Sequence, residues 1–511
     1  MANIRAQLAA SLDVLRQTAK DGIVRSSEIS RGDRERLQKH GFLEEVMKGW
    51  LIVTKPEVPK GSSISWYVSF WPFIRHYLNY RFGNDYCLSP EASLQLHTGS
   101  TVIPKQLIVI TRKKGVQSIT LPHSTGLLLY ENKERFPESR MNQENIWIMD
   151  LLSALCRLQP VFFKTYPLDV ELALRMVKDL SALTKVLVQG GHSAIAGRLA
   201  GAYRALNENE MAERIIKDME IAGFTVRETN PFDHFTPSLA TGTKVISPYA
   251  SRIEVLWRSM REQVQEIFLE APGIPDNPDD YIRKVDEIYV NDAYNSLSIE
   301  GYMVTPELIE KIRTGEWDPA NSASDRQQRD AMAAKGYNLA FQSVKESIRK
   351  ILMGKSPGEV VSIDHQEWYK QMFLPSVQAG FLKMEDLIGY RNAPVYIQES
   401  QHVPPSSSAV VDCMETLFEL LKVESDAGIR AVLGHFIFVF IHPYMDGNGR
   451  IGRFLMNTML ASGGFPWSVI RLEHRTQYMS ALEEASVRGN IRPFAEFIKG
   501  EMDLALREHA N

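Results

Sequence analysis

The sequence predicts a mainly α-helical protein, in which a short helix-and-hairpin module and a small mixed α/β region precede a larger helical part. Three observations support this fold class. Apolar residues recur at helical spacing through most of the second half of the chain. Runs rich in β-branched and aromatic residues are concentrated in the first third. A stretch rich in Pro, Thr, Ser and Gly, residues 228–250, separates the two parts and is predicted to be a linker.

The composition is that of a globular protein with a large core. The chain has 511 residues, of which 44% are hydrophobic and 23% charged, and its net charge is −4. The length predicts several domains, and the charge argues against global attraction to nucleic acid. The three cysteines, Cys87, Cys156 and Cys413, are far apart and show no metal-ligand spacing, which favours a reducing compartment. With neither a secretory signal nor a membrane-length apolar run, we expect a cytoplasmic protein without membrane contact.

Residues 1–55 are predicted to form a winged helix-turn-helix module. The order is helix, small-residue turn, Arg-rich helix and a strand pair around Lys48-Gly49. Basic residues on the second helix are candidates for DNA contact: Arg31, Arg34, Arg36 and Lys39. A solvated helix face has the same pattern, so both interpretations stay open.

Residues 56–227 combine β-type runs such as "KQLIVITRKKG" with helical spacing in "IWIMDLLSALCRL" and beyond, which predicts an α+β region followed by helices. Together with the pattern "GIVRSSEI…GFLEEVMKGWLIV", this part of the chain resembles the winged-helix antitoxins of the AbiEi type. The resemblance implies their fold and a regulatory or DNA-binding role.

Residues 251–511 are predicted to be helical, with one interruption at residues 389–408. This interruption contains β-type residues, a Pro-Pro pair and a serine run, which predicts a β-hairpin or flap between helices.

The run "HPYMDGNGRIGR", residues 442–453, combines polar groups between two apolar helical segments. Gly447 and Gly449 allow the close backbone approach that a phosphate-binding loop needs, and the loop leads into a helix N-terminus. Arg450 and Arg453 share one helix face and suit phosphate oxygens. Two further groups complete the set: Asp446 is a typical Mg²⁺ ligand and His442 a base able to act near neutral pH.

This run resembles the Fic-family signature HPFx(D/E)GNGRxxR and departs from it at Tyr444, which stands where the family has Phe. The resemblance covers about residues 252–505 and implies a helical Fic core that transfers AMP from ATP to a hydroxyl of a protein side chain, with release of pyrophosphate. It implies that His442 deprotonates the target and that Asp446 holds Mg²⁺. The implied nucleotide contacts are Gly447, Asn448, Gly449, Arg450, Arg453 and Tyr478. A flap around Val395, Tyr396 and Ile397 would pair with an extended target segment.

A second motif lies upstream, where "SLSIEG" matches the family's inhibitory pattern (S/T)xxxE(G/N). The residues are Ser296, Glu300 and Gly301, at the end of a helix predicted around residues 282–301. The resemblance implies that Glu300 forms a salt bridge with Arg453 and removes the partner of the ATP γ-phosphate. Without the motif downstream, Glu300 would be an ordinary exposed acid of a last helical turn.

Three alternatives stay open. The chain is either an auto-inhibited AMP-transferase, a winged-helix transcription regulator whose Fic half senses nucleotide, or a Fic enzyme that uses another nucleotide or removes AMP. Its partners would be ATP, a protein target or the chain itself, and DNA in the regulatory interpretation. A homodimer is an open alternative to a monomer.

Overall fold

A computed structural model describes residues 2–54, 56, 63–112, 116–132, 136–233, 235–242, 247–268, 270–314, 329–397 and 400–510. The chain divides into two compact units. The first comprises Met1–Arg252 together with Val395–Val403, and the second comprises Ile253–Pro394 and Pro404–Asn511.

The first unit begins with two helices and three short strands. They are α1 (Ala2–Thr18), β1 (Ile23–Arg25), α2 (Arg31–Lys39), β2 (Leu43–Met47) and β3 (Trp50–Val53). The strands form an antiparallel sheet in the order β1-β3-β2. Ser30 starts α2 by accepting a hydrogen bond from the N–H of Asp33. The two helices and the strand pair β2-β3 follow the order predicted for residues 1–55, whereas β1 is an additional strand that was not predicted. The assignment of this region as a winged helix-turn-helix module stays a prediction.

The mixed region follows, and its core is built around one aromatic-rich helix. The helices and strands up to the last hairpin are α3 (Ser63–Phe82), β4 (Tyr86–Leu88), α4 (Pro90–His97), β5 (Gln106–Thr111), β6 (Gln117–Leu121), β7 (Thr125–Glu131), β8 (Arg140–Gln143) and β9 (Ile146–Met149). The four-stranded sheet has the order β4-β5-β7-β6 with β5 and β7 parallel, and β8 pairs with β9. Trp66, Phe70 and Phe73 of α3 are buried in the core of this region.

Six helices complete the first unit, as the helical spacing predicts. They are α5 (Leu151–Leu155), α6 (Pro160–Thr165), α7 (Pro167–Arg175), α8 (Leu180–Gln189), α9 (Ser193–Ala205) and α10 (Asn209–Ile221).

The described residues of segment 228–250, which was predicted to be a linker, pack against helices of the first unit. Gly201 of α9 packs so closely on this segment that a Cβ there would lie 2.1 Å from the carbonyl oxygen of Thr229. The buried carboxylate of Glu171 accepts a hydrogen bond from the N–H of Leu239. Composition alone did not show this, because a Pro- and Gly-rich segment loses its helical period whether it is free or packed.

The remaining helices are α11 (Pro248–Ile267), α12 (Pro278–Ile299), α13 (Pro306–Arg313), α14 (Arg329–Leu352), α15 (Pro357–Gln378), α16 (Val410–Val423), α17 (Ala427–Ile441), α18 (Asn448–Ala461), α19 (Arg475–Arg488) and α20 (Arg492–Ala510). Every residue of α17 is buried, so this helix is the centre of the second unit.

The predicted β-hairpin flap does not form in the described part of residues 389–408. No strand occurs there. Two residues of this segment instead make β-type contacts within the first unit. His402 forms an isolated antiparallel bridge with Val102, and the N–H of Val403 donates to the carbonyl of Thr101 at 2.6 Å. The β-type residues therefore pair with another part of the chain and not with one another.

Candidate functional site

The sequence motif lies on a tight turn between α17 and α18. Helix α17 ends at Ile441 because His442 adopts the left-handed conformation, with φ 53° and ψ 60°. Helix α18 begins at Asn448, after Gly447 with φ 79°. A non-glycine residue in this region costs of the order of 1 kcal/mol and is retained only where the surroundings hold it. The turn brings the imidazole and the start of a helix into one loop.

His442 is oriented by its own helix. Its Nδ1 lies 3.1 Å from the carbonyl oxygen of Val439. Because a carbonyl only accepts, Nδ1 carries the proton of the neutral ring and Nε2 is the basic nitrogen. Burial lowers the pKa of His442 to about 4. The imidazole is therefore neutral at physiological pH in this structure, and its role as the base stays a prediction.

The loop after His442 is held by Asn448. Its side-chain oxygen accepts from the N–H of Tyr444 at 2.9 Å, and its amide donates to the carbonyl of Tyr444 at 2.8 Å. The Tyr444 ring stacks on Tyr369 with 3.8 Å between centroids. Asn448, predicted as part of the anion site, thus uses its side chain to shape the loop.

Arg450 and Arg453 are both buried, with exposed fractions of 1% and 3%. The Nε and Nη2 of Arg450 and the Nη1 of Arg453 have no hydrogen-bond partner. The Cζ of Arg450 lies 5.2 Å from the ring centroid of Tyr302 and 5.2 Å from that of Phe373. Buried guanidinium N–H groups without acceptors are costly, so this pair is suited to an anionic ligand such as phosphate.

Arg453 is bound by the end of α12. Its Nη2 donates to Glu300 Oε1 at 2.8 Å and to the carbonyl of Ser296 at 3.0 Å, and its Nε donates to Ser296 Oγ at 2.8 Å. Helix α12 ends at Ile299 with Glu300 as its C-cap, and Gly301 follows with φ 83° and donates its N–H to the carbonyl of Ser298. The structure therefore brings Ser296 and Glu300 of the upstream motif into contact with Arg453, the second arginine of the downstream one.

The Glu300 carboxylate also lies directly over the glycine loop. A Cβ on Gly449 would be 2.3 Å from Glu300 Oε1. Desolvation raises the pKa of Glu300, but the charges of Arg453 and Arg450 outweigh it, so that the pKa lies below its ordinary value. Glu300 is thus ionised at neutral pH, and its carboxylate lies where an anion bound to the loop would lie.

Buried polar contacts fix the position of α12. Asp292 accepts hydrogen bonds from the Tyr337 hydroxyl at 2.6 Å and from Trp467 Nε1 at 3.0 Å. Asn295 Oδ1 accepts from the N–H of Leu472 at 2.8 Å. These contacts were not predicted from the sequence, since they join residues far apart along the chain.

Asp446 is the candidate metal ligand. Its side chain is 62% exposed, and Oδ1 lies 3.4 Å from Arg450 Nη2. No group of three or more His, Cys, Asp or Glu side chains able to hold an ion occurs in the residues that the structure describes. One accessible carboxylate beside buried arginines fits Mg²⁺, which is commonly held by one or two carboxylates and the phosphates of a nucleotide.

Tyr478 lies in the core, and its contact with a nucleotide stays a prediction. Tyr478 is buried, and its hydroxyl lies 2.8 Å from Nε2 of the buried His435, so the ring is part of the core beside Arg453. Val395 is 9% exposed, and the segment Val395–Val403 groups with the first unit. Docking of a target along Val395, Tyr396 and Ile397 stays a prediction.

Two of the four candidates for DNA contact form ion pairs with acidic residues of their own helix. Arg31 forms an ion pair with Glu35 at 2.7 Å, and Arg36 with Asp33 at 3.0 Å. Arg34 is half-buried and Lys39 is exposed. DNA contact by this helix stays a prediction.

Comparison with known proteins relates one part of the second unit to a known family. The Fic/DOC family model matches residues 364–460. Relatives named "Protein adenylyltransferase Fic" include one from Nematostella vectensis, 27% identical over 252 residues, which are 48% of this chain and 55% of that protein. One from Drosophila yakuba is 23% identical over 374 residues, 64% of this chain and 71% of that protein. The match with Nematostella vectensis thus spans about half the length of the relative.

Among solved structures, "Fic-1 (aa134 - 508)" from C. elegans is 19% identical with a TM-score of 0.37, over 68% of this chain and 98% of that one. A Fic domain containing signaling protein from Bacteroides thetaiotaomicron has the same TM-score at 20% identity, over 51% of this chain and 94% of that one. Within the described residues, no helix is both long and apolar enough to cross a membrane.

Proposed function

We propose that the chain is an auto-inhibited protein AMP-transferase that uses ATP. One observation carries the proposal: Glu300 and Ser296 occupy Arg453 at the start of α18, beside a glycine loop and a neutral histidine. The names of the relatives support the reaction at the level of the family.

The chemistry assigns one step to the chain. Nε2 of His442 accepts the proton of the target hydroxyl while the hydroxyl oxygen bonds to the α-phosphorus and the α–β phosphoanhydride bond breaks, releasing pyrophosphate. Arg450 and Arg453 stabilise the phosphate charge, for which their free N–H groups are suited. Asp446 would hold Mg²⁺, which neutralises phosphate charge when bound.

The low pKa of His442 is compatible with this role. The triphosphate of a bound nucleotide is a strong negative charge beside the imidazole, and negative charge raises a histidine pKa. The base therefore gains proton affinity when the substrate is present.

Glu300 blocks the reaction in this proposal by competing with the γ-phosphate for Arg453. Arg453 is buried, whereas the Glu300 side chain is 31% exposed, so solvent screens the ion pair and it contributes less than a fully buried one. The contact still favours the closed state, because without Glu300 the buried Arg453 would lack an anionic partner.

The test measures the intact mass of the chain after incubation with Mg²⁺ and each of the four ribonucleoside triphosphates. Glu300→Gly is expected to gain one AMP from ATP, and the native chain much less. Glu300→Gly with His442→Ala is expected to gain none. Glu270→Gly, an exposed acid in a non-helical segment of the same unit, is the matched control and should behave as the native chain. Equal modification of native and Glu300→Gly chains would contradict the inhibitory role.

A further inference from the structure

Arg391 is a buried arginine whose contacts converge on the turn that carries His442. It lies in the second unit and is 5% exposed. Its Nε donates to the carbonyl of His442 at 2.8 Å, and its own N–H donates to the carbonyl of Pro443 at 2.9 Å. Its Nη2 donates to the carbonyl of Ile441 at 3.4 Å. Three consecutive carbonyls of the turn therefore accept hydrogen bonds from one residue.

The same guanidinium holds the two ends of the segment that follows it. Nη1 donates to the carbonyl of Ala393 at 3.1 Å, and Nη2 donates to the carbonyl of Pro405. A planar guanidinium has five donors in a fixed arrangement, so it orients several acceptors at once. Arg391 thus joins the His442 turn to both ends of the intervening segment.

The turn needs such a partner for two reasons. The last carbonyls of a helix have no N–H donor within the helix. In a buried helix such as α17 they must therefore accept hydrogen bonds from other residues. His442 also has the left-handed backbone conformation, which a non-glycine residue keeps only where neighbouring contacts determine it. A cation at the C-terminal end of a helix is in addition favoured by the helix dipole.

We propose that Arg391 is a positioning residue: it holds the His442 backbone in the left-handed conformation that aims Nε2 out of the helix end. The proposal rests on the proposed function for its kinetic consequences, although the orientation of the imidazole can be measured without it. Arg391 acts through His442 and touches neither nucleotide nor target in this assignment. Its charge is also one of the causes that lower the pKa of His442.

The test compares two buried arginines of the second unit. Arg391→Met removes all donors at similar volume, and Arg391→Lys keeps the charge without the planar fork. Arg430→Met is the matched control, because Arg430 is 7% exposed and binds the carbonyl of Glu424 and the hydroxyl of Ser462 at the other end of α17. All variants are made in the full chain with Glu300→Gly.

The first measurement is the pH titration of the His442 ring signal by NMR with labelled histidine, assigned by its absence in His442→Ala. Arg391→Met is expected to raise the midpoint by roughly half a pH unit or more, because a neighbouring positive charge is lost. Arg391→Lys should leave the midpoint near that of the parent, and Arg430→Met should not move it.

The second measurement is the rate of AMP transfer together with the affinity for ATP. A displaced catalytic group commonly costs about 100-fold, so Arg391→Met should lower kcat by roughly that factor while ATP affinity stays close to the parent. Arg391→Lys should recover part of the rate. If Arg391→Met matched Arg430→Met in both titration and rate, the proposal would be overturned. If the parent transferred nothing from any nucleotide, the reaction would be wrong, and the same labelled-histidine spectra would still decide the role of Arg391: the Nδ1–H form of His442, which bonds to the Val439 carbonyl, should be lost in Arg391→Met and kept in Arg430→Met.

Discussion

Two pairs of arginines with the same spacing behave differently in the two units. Arg31 and Arg34 begin α2, and Arg450 and Arg453 lie in the first turns of α18. The first pair lies on a short helix with its own acidic residues, and Arg31, with 84% of its side chain exposed, pairs with one of them. The second pair is buried and keeps N–H groups without acceptors. Spacing alone therefore does not define an anion site, whereas burial with unmet hydrogen bonds does.

The strongest way to break this comparison is to remove one arginine of each pair. In the Glu300→Gly chain, we expect Arg453→Met to lower kcat/KM for ATP by roughly 100-fold or more, since a charged hydrogen bond to phosphate is lost. Arg34→Met should change it less than about twofold, as substitutions far from a site usually do. Initial rates with labelled ATP measure both. Similar losses from the two variants would show that burial does not separate the pairs.

The titration of His442 sharpens the comparison between buried and exposed groups. Because burial lowers its pKa to about 4, the base form dominates above that value. Without nucleotide, the His442 ring of the Glu300→Gly chain should therefore stay neutral between pH 8 and 6 and titrate only at lower pH, as NMR with labelled histidine can measure. A titration midpoint above pH 7 in the nucleotide-free chain would contradict this expectation. The same shift means that stability falls as pH drops through the ordinary histidine value, 6.5, towards 4, since the unfolded chain binds the proton more readily.

DNA binding tests the arginines of α2 directly, together with Lys39. If the first unit binds DNA, Arg34 and Lys39 should contribute more than Arg31 and Arg36, which already contact Glu35 and Asp33. The Arg34→Ala, Lys39→Ala double variant of the full chain should reduce the salt slope of binding by about 2, and Arg31→Ala by less. Fluorescence anisotropy with a labelled duplex at several salt concentrations provides the measurement. No detectable binding at low salt would rule out a role of α2 in DNA contact.

The smallest effect concerns Tyr444, which stands where the family pattern has Phe. Its hydroxyl is buried among aromatic rings and, like the N–H groups of Arg450 and Arg453, has no hydrogen-bond partner. Unlike a guanidinium, however, a hydroxyl carries no charge that would attract a phosphate. Tyr444→Phe should raise the free energy of unfolding by about 1 kcal/mol, measured with urea. Tyr478→Phe is the control and should lower it, because its hydroxyl bonds to His435. Destabilisation by Tyr444→Phe would mean that the hydroxyl is satisfied.

Much of the fold was predictable because local patterns determine it. The helices of the second unit follow the apolar spacing, and Gly301 and Gly447 mark the end of α12 and the start of α18, as expected of residues that adopt positive φ. The contact of Glu300 with Arg453 was anticipated only because the resemblance joined two motifs 153 residues apart. Its inhibitory role stays a prediction.

Other features could not be predicted from local patterns. The β-type residues near His402 bridge to Val102 and not to one another, because strand pairing depends on which edges the fold brings together. The low pKa of His442 arises from burial, which motif spacing does not report. The sequence did not single out Arg391, since its partners are backbone carbonyls, which carry no sequence signal.

The local chemistry of this protein can be read from the amino-acid sequence: a histidine, a carboxylate, a glycine loop and two arginines at fixed spacing, with an acidic helix end upstream. Side-chain type and helical period are local properties, and a single chain displays them directly. The folded chain adds which of these groups are buried, which hydrogen bonds are unmet and which residues hold them in place. Desolvation and hydrogen-bond satisfaction depend on the packing of distant segments, and that packing is absent from any local pattern.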